Sequence, residues 1–405
     1  MTNTSAEHCP FPHGTTYRKT GDTGHAANPS APAIEFDGHV WHLRTYSAVR
    51  QVLRAGQDTR QAILNNESPF PAGMRQPVIF QDGPLHVKQR TAIARFFTPK
   101  TVHAAYQTLM DDLSDKLVGE FVRQGEADLS VLSMELATQV AAQIVGLTNS
   151  WRPGMGHRID AMLVARPEPK TRAGGLLTTL QNHARLLGFY LLDVRPAILS
   201  RRHAPREDVI SHLIGMDYND LEILVECATY GSAGMVTTRE FICVAAWHLL
   251  ENDALRLEYL GADEGARHRI LHELLRLEPV ASHLYRRAVT DMTLEHGGET
   301  YLIPAGAMMN LDIRAANTDA AAVGTEPLAA CPQRELAPGV QPQALSFGDG
   351  AHRCPGAFVA IQESDVFLQR LLALPLRIET PPRLDWNPRL ESYEVRDFRV
   401  ALRNR

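Results

Sequence analysis

Apolar residues recur every three to four positions along most of this chain, which is the spacing of one face of an amphipathic helix. This periodicity predicts helices at about residues 46–56, 84–96, 101–124, 130–146, 153–165, 172–200, 206–215, 219–251, 264–277 and 357–373. Strict alternation over 33–45, around Asp37-Gly38, predicts a β-hairpin. Short strands are predicted between 285 and 311 and in the tail at about 376–403. Residues 57–82 and 317–346, rich in Pro and Gly, are predicted loops.

The predicted fold class is therefore mainly α with a small β portion. The length of 405 residues would allow two or three domains. No repeat and no low-complexity linker divides the chain, so we predict one domain at 33–405 after an irregular N-terminal segment at 1–32.

One predicted helix contains residues that do not suit a helix. The run at 219–251 has Gly231, Gly234, Thr237 and Thr238 near its middle. Glycine inside a helix costs about 1 kcal/mol relative to alanine, and threonine is a mediocre helix former. The pattern indicates that this helix accommodates something at its centre.

Composition and charge exclude several classes of protein. Apolar residues make up 44% and charged residues 21%, which is typical of a globular protein, and the net charge of -5 argues against a nucleic-acid binder. No apolar run is long enough to cross a membrane, and the N-terminus resembles neither a signal nor a transit peptide. Five widely spaced cysteines without a C-x-x-C motif favour a reducing, cytoplasmic setting.

The stretch "LSFGDGAHRCPGAFVAIQES" is the most informative one. Gly348, Gly350 and Gly356 surround Cys354, and Pro355 suits the first turn of the helix that follows. A thiol at a helix N-terminus is expected to have a lowered pKa. The local residues are equally consistent with an inert buried cysteine, but a phosphate loop is disfavoured because Arg353 occupies the place of its third glycine.

The segment from Phe347 to Gly356, with Gly348, His352 and Cys354 at matching positions, resembles the haem-binding loop of the cytochrome P450 family. The resemblance implies the P450 fold, with haem b between the long central helix and the helix after the cysteine. It also implies that Cys354 is the thiolate ligand of the iron, a ligand that favours O–O cleavage.

The family's Glu-x-x-Arg motif is matched on the helix at 264–277. Glu273 and Arg276 lie one turn apart, and Arg334 is the expected third member of the group. The same helix carries His268 and His272 at i and i+4, a spacing that suits a metal ion. The Glu placement of a zinc hydrolase and a third ligand are lacking, so we disfavour that alternative.

Haem propionates need cations, and the resemblance implies four. "DGPLHVKQR" matches the family's D-x-P-x-H-x-x-x-R segment and gives His86 and Arg90. "RRAVTD" resembles its R-x-A-x-x-D strand and gives Arg287, and His352 is the fourth candidate.

The central helix departs from the family in one residue. The family's [AG]-G-x-[DE]-T pattern aligns with Ala233, Gly234, Met235, Val236 and Thr237, so a valine replaces the acid that relays protons for oxygen activation. Three interpretations remain open. The enzyme hydroxylates with water, Thr237 or a substrate group as the relay; it couples substrate radicals without inserting oxygen; or the relay is rerouted through Thr238 or Glu240.

A weaker resemblance concerns the substrate. "TTYRKTGDTGHAANPSAP" and "GSAGMVTTREFICVAAWHLL" are similar to segments of actinobacterial P450s that couple tryptophan-containing cyclodipeptides. We therefore predict a haem-thiolate oxidase of secondary metabolism that forms C–C or C–N bonds between such diketopiperazines. The alternative is a hydroxylating monooxygenase of another small hydrophobic or aromatic metabolite. A haem sensor without turnover is disfavoured because it would not need Gly234 and Thr237.

Substrate and electron partners follow from the same resemblance. Candidate substrate contacts come from the loop at 57–82, the central helix and the strand after the Glu-x-x-Arg helix, namely Ile63, Leu64, Phe70, Ala233, Val280, Ser282 and His283. Each of them is equally consistent with the core. No flavin or iron–sulfur motif is present, so the resemblance implies a ferredoxin and its reductase.

Overall fold

The structure, a computed structural model, describes residues 17–20, 31–62, 74–163 and 172–403, without the side chains of 172–176. Its helices are α1 (Tyr46–Arg54), α2 (Gly83–Ala94), α3 (Pro99–Thr101), α4 (Gln107–Gln124), α5 (Leu129–Val145), α6 (Met155–Leu163), α7 (Arg172–Phe189), α8 (Arg195–His203), α9 (Val209–Gly215), α10 (Asp220–Tyr230), α11 (Thr237–Glu251), α12 (Asp253–Gly261), α13 (Glu264–Leu277), α14 (Ile313–Ala316), α15 (Ala320–Val323) and α16 (Ala357–Leu372). The predicted helices are confirmed, with ends that differ by a few residues.

Three helices were not predicted. Among them, α12 buries only Leu255 and Tyr259, which are four positions apart, so its apolar stripe is too short for the pattern to reveal. The Asn252 side chain caps its first turn. The other two, α14 and α15, are single turns inside or beside the predicted loop, and Asp312 and Asp319 cap them.

The strands are β1 (Ile34–Phe36), β2 (Val40–Leu43), β3 (Thr59–Ala62), β4 (Glu126–Asp128), β5 (His283–Ala288), β6 (Met292–His296), β7 (Glu299–Ile303), β8 (Met308–Asp312), β9 (Leu376–Thr380), β10 (Arg383–Asn387), β11 (Ser392–Arg396) and β12 (Arg399–Leu402). The largest sheet has the order β1-β2-β8-β5-β3 and one parallel pair, β2 with β8. The predicted hairpin is confirmed, as β1 pairs with β2 in antiparallel register.

Two apolar clusters divide the interior of the described residues. The larger one surrounds the central helix and includes α5, α13 and α16, and the smaller one lies between α1 and the five-stranded sheet. The sheet is therefore attached to one side of a helical body. This arrangement is the mainly α fold with a small β portion that the periodicity predicts.

The central helix is continuous but widened. It begins at a capping box in which Asn219 and Glu222 bond each other's backbone N–H groups. After α10 it continues as a π-helical turn, Gly231–Val236, and then as α11. Widened turns of this kind are frequent at functional sites. Gly231 and Gly234, which the sequence placed in mid-helix, lie in this turn, and Thr237 and Thr238 directly follow it.

Among the described helices, none combines the length and apolar character needed to span a bilayer. Three of the predicted substrate contacts, Ile63, Leu64 and Phe70, lie outside the described residues.

Candidate functional site

The loop before α16 is folded around the cysteine. Gly348 and Gly350 adopt positive φ angles of 68° and 67°. The Cys354 N–H donates to the Phe347 carbonyl at 2.8 Å, which closes the loop. The helix starts at Ala357, two residues later than Pro355, and Gly356 occupies its N-cap. The loop therefore presents the Cys354 thiol at the start of a helix, as predicted.

Gly350, one of the three glycines that the sequence places around Cys354, is a structural requirement of the loop. A Cβ atom there would lie 2.2 Å from the Leu53 carbonyl oxygen. Only glycine combines this close backbone approach with a positive φ. A Cβ on Gly356 would instead meet the Cys354 Sγ atom at 4.0 Å, an ordinary contact. Apart from that sulfur atom, the added Cβ would meet no atom of the described residues beyond its chain neighbours within 4 Å.

The electrostatics of Cys354 differ from the expectation. Burial raises the pKa of its thiol, while the Gly356 backbone N–H, Arg90 and Arg353 act in the opposite direction. The prediction of a lowered pKa is wrong for the protein without its metal, because desolvation outweighs the helix terminus. A metal ion inverts this balance, since a coordinating thiol is deprotonated outright.

Two histidines meet next to this loop. The rings of His86, on α2, and His352 stack with centroids 4.1 Å apart, and the His352 Nε2 atom lies 3.1 Å from the Asp82 Oδ1 atom. The His86 Nε2 atom is buried and has no hydrogen-bond partner in the part of the chain that the structure describes. Burial, followed by His352 and Arg90, lowers the pKa of His86 to about 4. A buried, unpaired ring nitrogen fits an acidic group of a bound ligand.

The predicted cations at 90 and 287 have different surroundings. Arg90 donates to the Arg353 carbonyl and interacts electrostatically with Cys354. The prediction of Arg287 as a propionate cation needs correction. Arg287 is partly exposed, donates to the Gly306 carbonyl and lies near Arg60. Its neighbour Arg286 points to the opposite face of β5, is only 3% exposed and interacts with His86 and Asp82.

Strand alternation explains that correction, because successive residues face opposite sides of a sheet. Burial lowers the pKa of Arg286 to about 10, so a guanidinium lies in the interior beside His86. No ion pair of Arg286 occurs within the described residues. When the alanine of the R-x-A-x-x-D pattern is aligned with Ala288, the arginine of the pattern falls on Arg286, not on Arg287.

The Glu-x-x-Arg group is assembled as predicted. Arg276 donates to both carboxylate oxygens of Glu273, at 2.7 and 2.8 Å, and the Arg334 Nε atom lies 3.3 Å from Glu273 Oε1. Both guanidiniums also donate to carbonyls of the segment before the cysteine loop, including that of Ala329. The group therefore fixes that segment against α13.

The widened turn has an open side and a packed side. Ala233 is exposed, Gly234 and Thr237 are partly exposed, and a Cβ on Gly234 would meet nothing within 4 Å. In contrast, Val236 is 1% exposed and packs in the large core. The valine at the position of the acid thus points away from the open side. The Thr237 hydroxyl donates to the Ala233 carbonyl at 2.5 Å.

Of the two alternative relay residues, Glu240 is already hydrogen-bonded to other groups of the core. Its carboxylate is fully buried and accepts from Arg239, Arg396 and the Val395 N–H. Thr238 donates to the Gly234 carbonyl at 2.7 Å, and its hydroxyl also interacts with the carboxyl group of Glu363 on α16. Burial raises the pKa of Glu363 far above its ordinary value, so this side chain is a neutral acid.

Glu363 is a residue that the sequence analysis missed. The signal was present, because "AFVAIQESDVFL" places a carboxyl inside an apolar helix face. Periodicity predicts that such a side chain is buried, but it does not reveal the Thr238 partner, which lies 125 positions earlier along the chain.

The remaining predicted substrate residues behave differently from one another. Val280 packs in the large core and Ser282 is fully buried, so neither presents its side chain to open space. His283 is partly exposed, and its Nδ1 atom lies 3.2 Å from the Asn310 Oδ1 atom. Within the described residues, Ala233 and His283 are the members of the predicted set with accessible side chains.

The histidine pair on α13 does not form a metal site. No group of three His, Cys, Asp or Glu side chains in the described ranges is arranged to hold a metal ion. His268 contacts the Phe358 ring and lies 3.7 Å from an Asp365 oxygen. Burial lowers the pKa of His272 to about 4.

Comparison with known proteins agrees with this geometry. The sequence profile of the family Cytochrome P450 matches residues 268–391. The erythromycin C-12 hydroxylase of Saccharopolyspora erythraea is 28% identical over 82% of this chain and 81% of its own. The mycinamicin IV hydroxylase/epoxidase of Micromonospora griseorubida is 27% identical over 95% of this chain and 96% of its own. The crystal structure of CYP109B1 from Bacillus subtilis superposes with a TM-score of 0.73 at 24% identity, over 92% of this chain and 96% of its own.

The fold is therefore that of cytochrome P450. The chain is an oxidoreductase of the P450 class, and its cofactor is haem with a cysteine thiolate as axial ligand.

Proposed function

We propose that the protein is a P450 monooxygenase that inserts oxygen into a bulky hydrophobic small molecule of secondary metabolism. The observation that carries this proposal is the widened turn of the central helix, whose open side offers Ala233, Gly234 and Thr237 to a ligand. An oxygen-inserting enzyme needs such space on the side of the cofactor opposite the thiolate. The two bacterial relatives named above are a hydroxylase and a hydroxylase/epoxidase, which supports oxygen insertion.

Cys354 is the residue that we propose as the thiolate ligand. It is partly exposed at the helix start, whereas the free cysteines Cys227 and Cys243 are fully buried in the core. The space beside its sulfur is open at Gly356. The cations proposed for the propionates are His86, Arg90, Arg286 and His352. The unpaired nitrogen of His86 and the buried guanidinium of Arg286 both fit carboxylate partners.

When bound, the haem supplies oxygen activation and thiolate-assisted O–O cleavage. The chain's own groups hold protons near the open turn. Thr237 and Thr238 directly follow the widened turn and donate to its carbonyls, and Glu363 is a neutral acid that interacts with Thr238. This arrangement favours rerouting through Thr238, one of the three interpretations left open by the sequence, over a route through Glu240.

Oxidative coupling of tryptophan-containing cyclodipeptides is the second candidate. The observation that favours it is Val236, an apolar and buried residue where the relay acid is expected. Coupling by substrate radicals removes hydrogen atoms and inserts no oxygen. An acid at the position of Val236 is therefore less important for it. A pocket for two aromatic molecules would use the accessible side chains of Ala233 and His283.

The mass of the product distinguishes the two candidates. Holoenzyme is incubated with dioxygen, a ferredoxin, its reductase and a panel of cyclodipeptides and macrolide-like hydrophobic substrates. A gain of one oxygen atom per product supports the monooxygenase. Loss of two hydrogens per joined pair supports coupling and overturns oxygen insertion. A reduced, CO-bound protein without the absorption typical of thiolate-ligated haem would contradict both.

We further propose a ferredoxin and its reductase as the electron source. Arg353, Arg50 and Arg54 line a cavity of about 280 Å³ beside the cysteine loop, where Asp349 pairs with the last two. Lys88, Arg95 and Lys100 add positive charge on neighbouring segments. Acidic partners are attracted to such surfaces, and the attraction weakens with salt. Reduction by ferredoxin should therefore slow as ionic strength rises.

A further inference from the structure

The interface between α2 and the central helix encloses polar atoms that the fold leaves unpaired. The Glu226 Oε2 atom, the Tyr230 hydroxyl and the Gln81 Oε1 atom are buried, and none has a hydrogen-bond partner among the described residues. Glu226 and Tyr230 lie one turn apart on α10 and interact electrostatically. Buried polar groups left in this way are normally satisfied by internal water.

The other groups of this interface form a continuous hydrogen-bonded chain. The Glu226 Oε1 atom accepts from the Val78 N–H at 3.0 Å and from the Gln89 side-chain amide at 2.9 Å. The Tyr218 hydroxyl in turn donates to the Gln89 Oε1 atom at 2.8 Å. All three side chains, those of Glu226, Gln89 and Tyr218, are at most 5% exposed. Two hydrogen bonds thus fix the Oε1 atom of the Glu226 carboxyl group, whereas its Oε2 atom has no partner among the described residues.

The two ends of this chain lie in different surroundings. At one end, the exposed Arg75 guanidinium covers the Tyr218 ring at 4.7 Å. At the other end, Tyr230 immediately precedes the widened turn and interacts with Arg90, which in turn interacts with Cys354. The hydrogen-bonded chain therefore runs from Tyr218, beneath the exposed Arg75, to Glu226, and the unpaired Tyr230 hydroxyl lies between Glu226 and the residues next to Cys354.

The charged and titratable groups around Glu226 come from several elements. Those on α10 are Glu222, Cys227 and Tyr230, the segment before α10 adds Tyr218, and the other side of the interface adds Arg75 and Arg90. Burial raises the pKa of Glu226 to about 7, against the two hydrogen bonds that favour its ionised form. Both protonation states are therefore accessible near neutral pH.

We propose that Glu226 and Tyr230 bound a hydrated internal site that carries protons between the surface at Arg75 and the cofactor pocket, with Glu226 as the exchanging group. A water in this site gives one proton to the unpaired Oε2 atom of the Glu226 carboxylate, because Oε1 already accepts two hydrogen bonds, and Oε2 then returns one proton to a water that hydrogen-bonds to the Tyr230 hydroxyl. No net charge accumulates, since one proton enters for each that leaves. This inference rests on the proposed function in one respect, namely that the oxygen chemistry of that function consumes the protons.

Infrared spectroscopy of the holoenzyme tests the exchanging group without turnover. Difference spectra between about pH 5 and pH 9 should show the carbonyl band of a protonated, buried carboxyl group that disappears with a midpoint near neutral pH. The band should shift in deuterium oxide and be absent from Glu226→Gln. A titrating band that persists in Glu226→Gln, or none in the wild type, overturns the proposal.

Glu363→Gln is the matched comparison, because Glu363 is a second buried neutral carboxyl group on the other side of the central helix. That variant should keep the titrating band. Exposed Glu135, on α5, provides a surface control as Glu135→Gln. The band is independent of substrate, so its loss or persistence decides the inference even where the proposed reaction fails.

A second measurement follows proton use. The fraction of electrons released as hydrogen peroxide should rise by up to about 10-fold in Tyr230→Phe and Glu226→Gln, because slower proton supply favours escape of reduced oxygen. Glu135→Gln should match the wild type. A wild-type fraction of hydrogen peroxide in both Tyr230→Phe and Glu226→Gln would overturn the proposal, whatever Glu363→Gln shows.

Discussion

Two glycine-containing regions, one before the cysteine and one in the central helix, use the same residue for opposite reasons. At Gly350, an added Cβ atom would lie 2.2 Å from the Leu53 carbonyl oxygen, so the backbone of the loop itself requires glycine. At Gly234, an added Cβ would meet nothing within 4 Å. The cysteine side is determined by contacts within the protein, whereas the helix side is shaped for a ligand. The comparison predicts that mutations on the two sides differ in kind as well as in size.

The largest effect is expected from Cys354→Ala. Without the proposed thiolate, the reduced, CO-bound protein should lose the absorption of thiolate-ligated haem and all turnover. Cys243→Ala is the control, because this buried thiol contacts only Ser133 among the polar groups described and should leave the band in place. Retention of the band in Cys354→Ala would reject the cysteine-side assignment.

The Glu-x-x-Arg group stabilises the cysteine side, because it fixes the segment before the cysteine loop against α13. Glu273→Gln removes a buried carboxylate between two guanidiniums, and the uncompensated positive charge should lower the free energy of unfolding by about 3–5 kcal/mol. Urea denaturation measures the loss. Glu264→Gln, at the exposed start of the same helix, should cost less than about 1 kcal/mol. Equal effects of the two changes would show that the buried group is not structural.

Gly350→Ala tests the requirement of the loop directly. The positive φ and the contact with Leu53 should together lower the free energy of unfolding by about 3 kcal/mol and reduce haem incorporation. Thermal unfolding and the ratio of haem to protein absorbance provide the measurements. A variant as stable as the wild type would mean that the loop relaxes freely and that the cysteine side is not determined by its backbone.

On the helix side, Glu226 should make stability depend on pH. Its folded pKa of about 7 lies above the ordinary value, so its contribution is fully present below about pH 4.5 and is lost as the pH rises through about 7. The loss should amount to about 3 kcal/mol. In Glu226→Gln this component of the pH dependence should vanish. A difference between wild type and variant that does not change with pH would contradict the raised pKa.

The smallest effect, with the opposite sign, is expected from Gly234→Ala. Because the site has room and a helical backbone, alanine should raise the free energy of unfolding by up to about 1 kcal/mol. The new methyl group should at the same time weaken substrate binding or oxygen binding, seen in spectral titrations. A destabilised Gly234→Ala variant would remove the contrast with Gly350.

Much of the fold followed from periodicity alone. The long helices were predicted to within a few residues because each buries one apolar stripe, and α12 was missed because its stripe has only two members. Motif spacing placed the group of Glu273, Arg276 and Arg334 correctly. The exchange of Arg287 for Arg286 shows the limit of this reasoning, since one position along a strand reverses the face of a side chain.

The chemistry of the site could be predicted only in part. The sequence indicated a cysteine at a helix start, but not that burial outweighs the helix terminus in setting the thiol pKa. It identified the missing acid at Val236, but not the buried carboxyl groups of Glu226, on the same helix, and of Glu363, on α16. Their partners lie more than 100 positions away along the chain.

The sequence by itself determined the long helices, the cysteine loop and the absence of an acid at Val236, because period, spacing and residue type are local properties. Only the tertiary structure decided which charges are paired, which carboxyl groups are neutral and where the central helix opens. Those properties depend on desolvation and on partners brought together by folding, and a pKa or an unpaired polar atom exists only once both are fixed.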